Sequence, residues 1–312
     1  MTANRQILLI PSSYQGETLH TVVWNAENPK AILFIAHGMA EHIMRYDDFA
    51  RYLSSNGIAV AGCSHLGHGL TSKSEDDLGY ISKKNGWSNL IADQAQVRAK
   101  LESLYPGVPV FMFGHSMGSF AARTYITETY ASGLRGVIIC GTGHEPPIMS
   151  SVGKKLAGIV GVFRGSRYRS KLLHGLSIGR YNSKIKSPRT EVDWLSFNED
   201  NVDAYIADSR CGFNFTVNGY KSLFEGINYV SKMKNIRKAD SDLPVLFIAG
   251  SEDPVGNCGK GVAKVSRMFK KAGMKNVAVK IYDNMRHEIL NEDDRATVYS
   301  DVAEFIDSTL SI

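Results

Sequence analysis

Short apolar runs alternate with amphipathic stretches along most of this chain, a pattern that predicts a mostly parallel sheet covered by helices, an α/β fold. Eight runs read as strands, at 6–10, 19–25, 31–36, 59–63, 108–113, 136–140, 244–249 and 277–282. Four of them, AILFIA, VPVFMF, GVIIC and PVLFIA, are apolar throughout. Strands buried on both faces read this way, whereas half-exposed strands alternate. Between the runs, 45–56 places Phe49, Tyr52 and Leu53 on one helical face and meets Gly57, a suitable C-terminal cap. The stretch 87–105 gathers Leu90, Ile91, Gln94, Val97, Leu101 and Leu104 near one stripe and stops before Pro106-Gly107. Two more helices fit 260–272 and 293–309.

From about 143 to 240 the alternation stops, and no buried-strand pattern occurs. The expected organisation is an α/β core built from 1–143 and 241–312, interrupted by a helical cap over 144–240. Within that cap Val152, Leu156, Ile159, Val160 and Phe163 recur at helical spacing opposite Lys154 and Lys155. Such a stripe reads first as a helix face packed on the core, and second as a lid that dips into a lipid surface.

Composition narrows the class. The 312 residues are 43% hydrophobic and 21% charged, which excludes a disordered, collagen-like or disulfide-dense chain. No apolar stretch approaches the ~20 residues of a helical membrane span. The beginning, MTANRQILLIPSS, lacks the apolar stretch of about 7–15 residues of a secretory signal, so a cytoplasmic location is expected. The four cysteines, Cys63, Cys140, Cys211 and Cys258, show no metal-type spacing and read as reduced thiols. The net charge of +5 is unevenly placed. Ten Lys/Arg and no Asp or Glu fall within 146–190, leaving 26 basic and 31 acidic residues elsewhere. This segment is either a solvated surface or a site of attraction to anionic lipid headgroups or phosphate-bearing substrates. Nucleic acid is disfavoured, because no recognition module accompanies the charge.

The pattern G-x-S-x-G occurs at Gly114–Gly118 and again around Ser177. It is weak alone; context separates the two. A nucleophile elbow needs a buried strand, a sharp turn and an immediate helix. Ser116 follows VPVFMF and precedes a helical stretch, whereas Ser177 follows RYRSKLLH. Ser116 is therefore the expected nucleophile. Of nine histidines only His287 follows the last strand, which makes it the expected base. Asp253 lies just beyond the 244–249 strand and is the expected acid, with Glu252 and Asp283 as competitors. The oxyanion hole should combine the N–H groups of Met117, after the nucleophile, and Met39, turned inward by Gly38. His37, Glu41 and His42 are read as braces of that loop. Cys258, five positions after Asp253, is read as a buried thiol, with a reactive thiol near the site as the alternative. Phe213 and Phe215 are candidates for lining an acyl pocket or for anchoring the cap.

The segments HGMAEH (37–42), MRY (44–46), HLGHG (65–69), GHSMG (114–118) and GSEDPV (250–255), with the late His287, resemble α/β-hydrolases of the monoacylglycerol lipase and lysophospholipase group. The resemblance implies a Ser116–Asp253–His287 triad, an oxyanion hole at Met39 and Met117, and a cap that binds an acyl chain. Ala40 stands where these proteins often have a second glycine, and Ser64 where they commonly have Asp. The expected activity is hydrolysis of a small acyl ester, monoacylglycerol or lysophospholipid first, without metal or organic cofactor. A short-chain esterase, thioesterase or peptidase on the same triad is the alternative, and a non-catalytic binding module the third reading.

Overall fold

The computed structural model describes residues 5–311; the first four residues of the stretch read above for a secretory signal lie outside them. Eight strands form one sheet: β1 (Arg5–Pro11), β2 (Thr18–Trp24), β3 (Ala31–Ala36), β4 (Ile58–Cys63), β5 (Val110–His115), β6 (Leu134–Cys140), β7 (Val245–Gly250) and β8 (Val277–Tyr282). Their spatial order is β1-β2-β4-β3-β5-β6-β7-β8. The pairs from β4 across to β8 are parallel, and β1 and β2 are antiparallel additions at one edge. Each expected strand is present, displaced by at most two residues at its ends.

The helices are α1 (Asp47–Ser55), α2 (Gly86–Leu104), α3 (Met117–Tyr125), α4 (Pro147–Arg164), α5 (Lys171–Ser177), α6 (Glu199–Ala207), α7 (Val217–Val230), α8 (Met233–Ile236), α9 (Lys260–Ala272) and α10 (Arg295–Leu310). The alternation of β3 divides the core. Ile32 and Phe34 join α2, α3 and α9 in one apolar layer, while Leu33 and Ile35 join α1 and α10 in the other. Period-two side chains on a strand covered by helices on both faces require this. The chain is an α/β-hydrolase fold in its strand order, sheet and flanking helices.

Between β6 and β7 lie α4 to α8 and no described strand. Here one expectation holds only in part. The stripe is split: Leu156 and Val160 are half-buried against the core, whereas Val152 and Ile159 are each 56% exposed and Phe163 81%. The buried face is instead Ser150, Gly153 and Ala157. A Cβ on Gly153 would meet the Phe224 ring at 3.0 Å. Because α7 runs this close, only small residues fit between the two helices, and part of the bulky stripe, Ile159 and Phe163, is left exposed.

Candidate active site

The carboxyl ends of the parallel strands gather on one edge of the sheet, and the loops there carry the site. β5 ends in a turn where Ser116 adopts φ 53° and ψ −116°. A non-glycine residue rarely holds such a conformation unless its surroundings impose it. They do. A Cβ on Gly114 would sit 2.3 Å from the Gly118 carbonyl oxygen, and one on Gly118 only 1.9 Å from that of Ala36. The two glycines let strand and helix cross at backbone contact, and the Ser116 N–H is fixed to the Cys140 carbonyl at 3.0 Å. The Met117 N–H opens α3, where no preceding turn can accept it.

Asp253 follows β7 and is fully buried. Its Oδ1 accepts hydrogen bonds from the Val255 N–H (2.8 Å) and from His287 Nδ1 (3.0 Å). The competitors are elsewhere: Glu252 and Asp283 are both exposed. His287 lies between aromatic neighbours, with the Trp194 ring 5.1 Å from its own on one side and His115 at 4.7 Å. His115 Nε2 also donates to the His287 carbonyl at 3.2 Å. The structure thus brings Asp253 and His287 into direct contact and sets the His287 ring beside His115, which precedes Ser116. Among the described residues no hydrogen bond joins the Ser116 hydroxyl to the His287 ring. Serine–histidine contacts of this kind are often long until substrate fills the site.

The loop after β3 approaches Ser116 from the other side; a Cβ on Gly38 would lie 3.2 Å from that of Ser116. Glu41 shapes this loop from beneath. One carboxylate oxygen accepts from the Gly38 N–H, the Tyr46 hydroxyl (2.8 Å) and His115 Nδ1 (3.3 Å). The other accepts from Arg45 at 3.2 Å, and Arg45 also grips both oxygens of Glu288. Burial by itself would raise the Glu41 carboxyl, but His115 and Arg45 hold it well below the usual range. His115 is driven down by burial and raised more strongly by Glu41, so it ends above the ordinary histidine value. The pair is therefore charged, at the centre of a buried network. Glu41→Gln should lower stability by about 3 kcal/mol in urea unfolding, the lower end for breaking a buried ion pair because Arg45 keeps Glu288.

His37, His65 and His68 form a second brace. The His65 N–H donates to His37 Nε2 at 2.9 Å, and the His65 ring returns a bond to the His37 carbonyl. Burial pushes His65 down to about 4 and His68 down to about 3. Neutral rings bonded to backbone groups, His68 to the Leu66 carbonyl at 3.0 Å, hold the loop without carrying charge, and for His37 this is the bracing role read from the sequence.

Met39, Ser116 and Met117 border a cavity that opens to solvent and is lined chiefly by Phe120, Leu156, Trp194, Leu223 and Phe224. Glu145 and Arg180 pair at its polar rim. Ser177 also borders it, but at the end of α5, with its hydroxyl donated to the Leu173 and His174 carbonyls. No strand leads into that serine. Phe213 and Phe215 do not line the cavity. Their rings stack with each other and flank His68, at 5.4 and 5.2 Å, so they anchor the β6–β7 segment to the core. Cys258 is exposed, which corrects the reading of it as a buried thiol; the other three cysteines are buried. Trp194, His115 and Glu288 were not foreseen as parts of the site, since nothing local in the sequence marks them.

The chain is similar to known hydrolases. The family model described as "Serine aminopeptidase, S33" matches residues 27–294. The mouse monoglyceride lipase is 28% identical over 283 residues, 89% of this chain and 82% of that protein. Phospholipase YtpA of Bacillus subtilis is 24% identical, covering 91% of this chain and 98% of its own. A crystal structure of a thermostable carboxyl esterase from Bacillus coagulans in complex with glycerol superposes with a TM-score of 0.90 at 29% identity, covering 99% of this chain and all of that one.

Proposed function

The chain belongs to the serine aminopeptidase S33 family of hydrolases, and from that premise and the site geometry we propose that it cleaves carboxylic esters of long acyl groups, monoacylglycerol or lysophospholipid, through an acyl-enzyme on Ser116. At the coarser level it is an ester hydrolase with small-molecule ester substrates. The observation that carries the finer reading is the opening of the Ser116 elbow into a cavity with a mainly apolar lining. An acyl chain buries its methylenes there at about 0.8 kcal/mol each.

Ser116 Oγ attacks the ester carbonyl while His287 takes its proton and then returns it to the leaving alcohol. Asp253 fixes the Nδ1–H tautomer and stabilises the imidazolium. The Met39 and Met117 N–H groups hold the oxyanion, and water attacks the acyl-enzyme in the second half of the reaction.

Rates on a panel of long-chain monoacylglycerols, lysophospholipids, short-chain esters, thioesters and aminoacyl amides test the reading. The long-chain glycerol and phospholipid esters should be fastest. Faster cleavage of the aminoacyl amides would replace it with the peptidase reading that the family description suggests.

In the same reading residues 144–240 act as a cap whose outer face meets lipid. Its support is the placement of Val162 and Phe163, more than 80% exposed, on a helix also bearing Lys155 and Arg164. No described helix is long and apolar enough to cross a membrane. Phe163→Asp should weaken sedimentation with anionic vesicles about tenfold, since burying one such ring is worth ~1.5–3 kcal/mol. Cleavage of a water-soluble ester should be unchanged. Vesicle binding insensitive to both this substitution and salt would remove the idea.

A further inference from the structure

Beyond the hydrolytic site, His42, Asp208 and Cys211 form a cluster that the ester chemistry does not use. An imidazole nitrogen, a carboxylate oxygen and a thiol sulfur lie within 4.8 Å of one another. They come from two places that the fold presses together: His42 from the loop after β3, Asp208 and Cys211 from the turn after α6. That turn is closed by a hydrogen bond from the Cys211 N–H to the Asp208 carbonyl, 2.8 Å. It presents the residues of a D-x-x-C unit on one side, much as C-x-x-C turns present two thiolates to zinc. The carboxylate is already aimed. Its Oδ1 accepts from the Arg210 N–H at 2.8 Å, which leaves Oδ2 facing His42 Nε2 at 2.7 Å.

We propose that these three side chains bind a divalent, borderline-soft transition metal ion, zinc being the best match, and so staple the β6–β7 segment to the oxyanion-side loop. The donor set fits such an ion and not a hard one, because nitrogen and thiolate donors favour zinc over magnesium or calcium. One aspartate and one thiolate balance the ion's two positive charges, which suits a half-buried position. Binding needs an unprotonated His42 Nε2 and releases the Cys211 thiol proton to solvent, so affinity should climb with pH. Zinc sits about 2.0 Å from nitrogen or oxygen and about 2.3 Å from sulfur, so a side-chain adjustment of about an ångström closes the set around it.

The staple would reinforce contacts already present, since the Ala40 carbonyl accepts from the Tyr205 hydroxyl (3.0 Å) and the Gly212 N–H (2.9 Å). Ala40 adjoins Met39, so an ion here would stiffen the loop that carries the proposed oxyanion donor.

Cobalt(II) titration of the full chain, kept reduced with a non-thiol reagent, reads the site without reference to activity. One equivalent should produce a thiolate-to-cobalt charge-transfer band, and zinc should displace it. Cys211→Ser should abolish the band, and His42→Ala or Asp208→Asn should weaken binding at least about tenfold. Cys258→Ser, at the exposed thiol, should leave it intact. Zinc should also raise the unfolding temperature of the native chain and not that of Cys211→Ser. Absence of the band from the native chain, its survival in Cys211→Ser or its loss in Cys258→Ser would overturn the proposal. A zinc-induced rise in unfolding temperature equal in native and Cys211→Ser chains would do the same.

Discussion

Ser116→Ala should abolish covalent labelling by a fluorophosphonate probe and lower ester turnover by about 10⁴–10⁶-fold. The size follows from the position of the hydroxyl. Ser116 is held at φ 53° by two glycines that permit no side chain, on a turn tied to β6. Alanine changes nothing in that frame and removes only the attacking oxygen. What remains is the binding and polarisation that the cavity and the N–H donors supply, which in other serine hydrolases leaves a residual acceleration of about 10³–10⁴ over water. The companion substitution Ser177→Ala should keep labelling and turnover near the native level, because that hydroxyl is committed to the Leu173 and His174 carbonyls. Labelling that survives Ser116→Ala, or disappears with Ser177→Ala, would move the nucleophile.

Asp253→Asn is the second large effect, a loss in turnover of about 10⁴-fold with the fold preserved. Asp253 Oδ1 accepts from both the Val255 N–H and His287 Nδ1. An asparagine can keep the first contact, but an amide N–H turned toward Nδ1 selects the wrong imidazole tautomer and offers nothing to an imidazolium. Unchanged circular dichroism with a loss near this size is the expected pair of results. A loss smaller than about tenfold would transfer the orienting role elsewhere. Neither Glu252 nor Asp283 could take it without moving, since both face solvent.

The strands were legible because a strand covered on both faces must be apolar at every position, as AILFIA and PVLFIA are. The elbow was legible because its requirements are local: a buried strand, two small residues and a helix within a dozen positions. Chain order then ranked His287 and Asp253 above their rivals. The α4 stripe packs on the core only at Leu156 and Val160, since periodicity reports that one face is apolar but not which neighbour covers it. Gly153 and Ala157, unremarkable in a hydropathy pattern, make the real interface with α7. Phe213 and Phe215 were ambiguous for a related reason, as an aromatic side chain packs equally well on a core loop or on a ligand.

Taken alone, the order of residues determined the parallel sheet, the place of the elbow and the identity of the three expected chemical groups. These depend on neighbours within a few positions and on sequential strand–helix alternation. Only the folded chain decided that Asp253 rather than Glu252 meets His287, that Trp194 packs on that ring, and that Glu41, Arg45 and Glu288 form one charged network under the loop. It also set His42 beside Asp208, 166 positions away. Contacts between distant segments depend on how packed layers close on one another, and no local pattern encodes that closure.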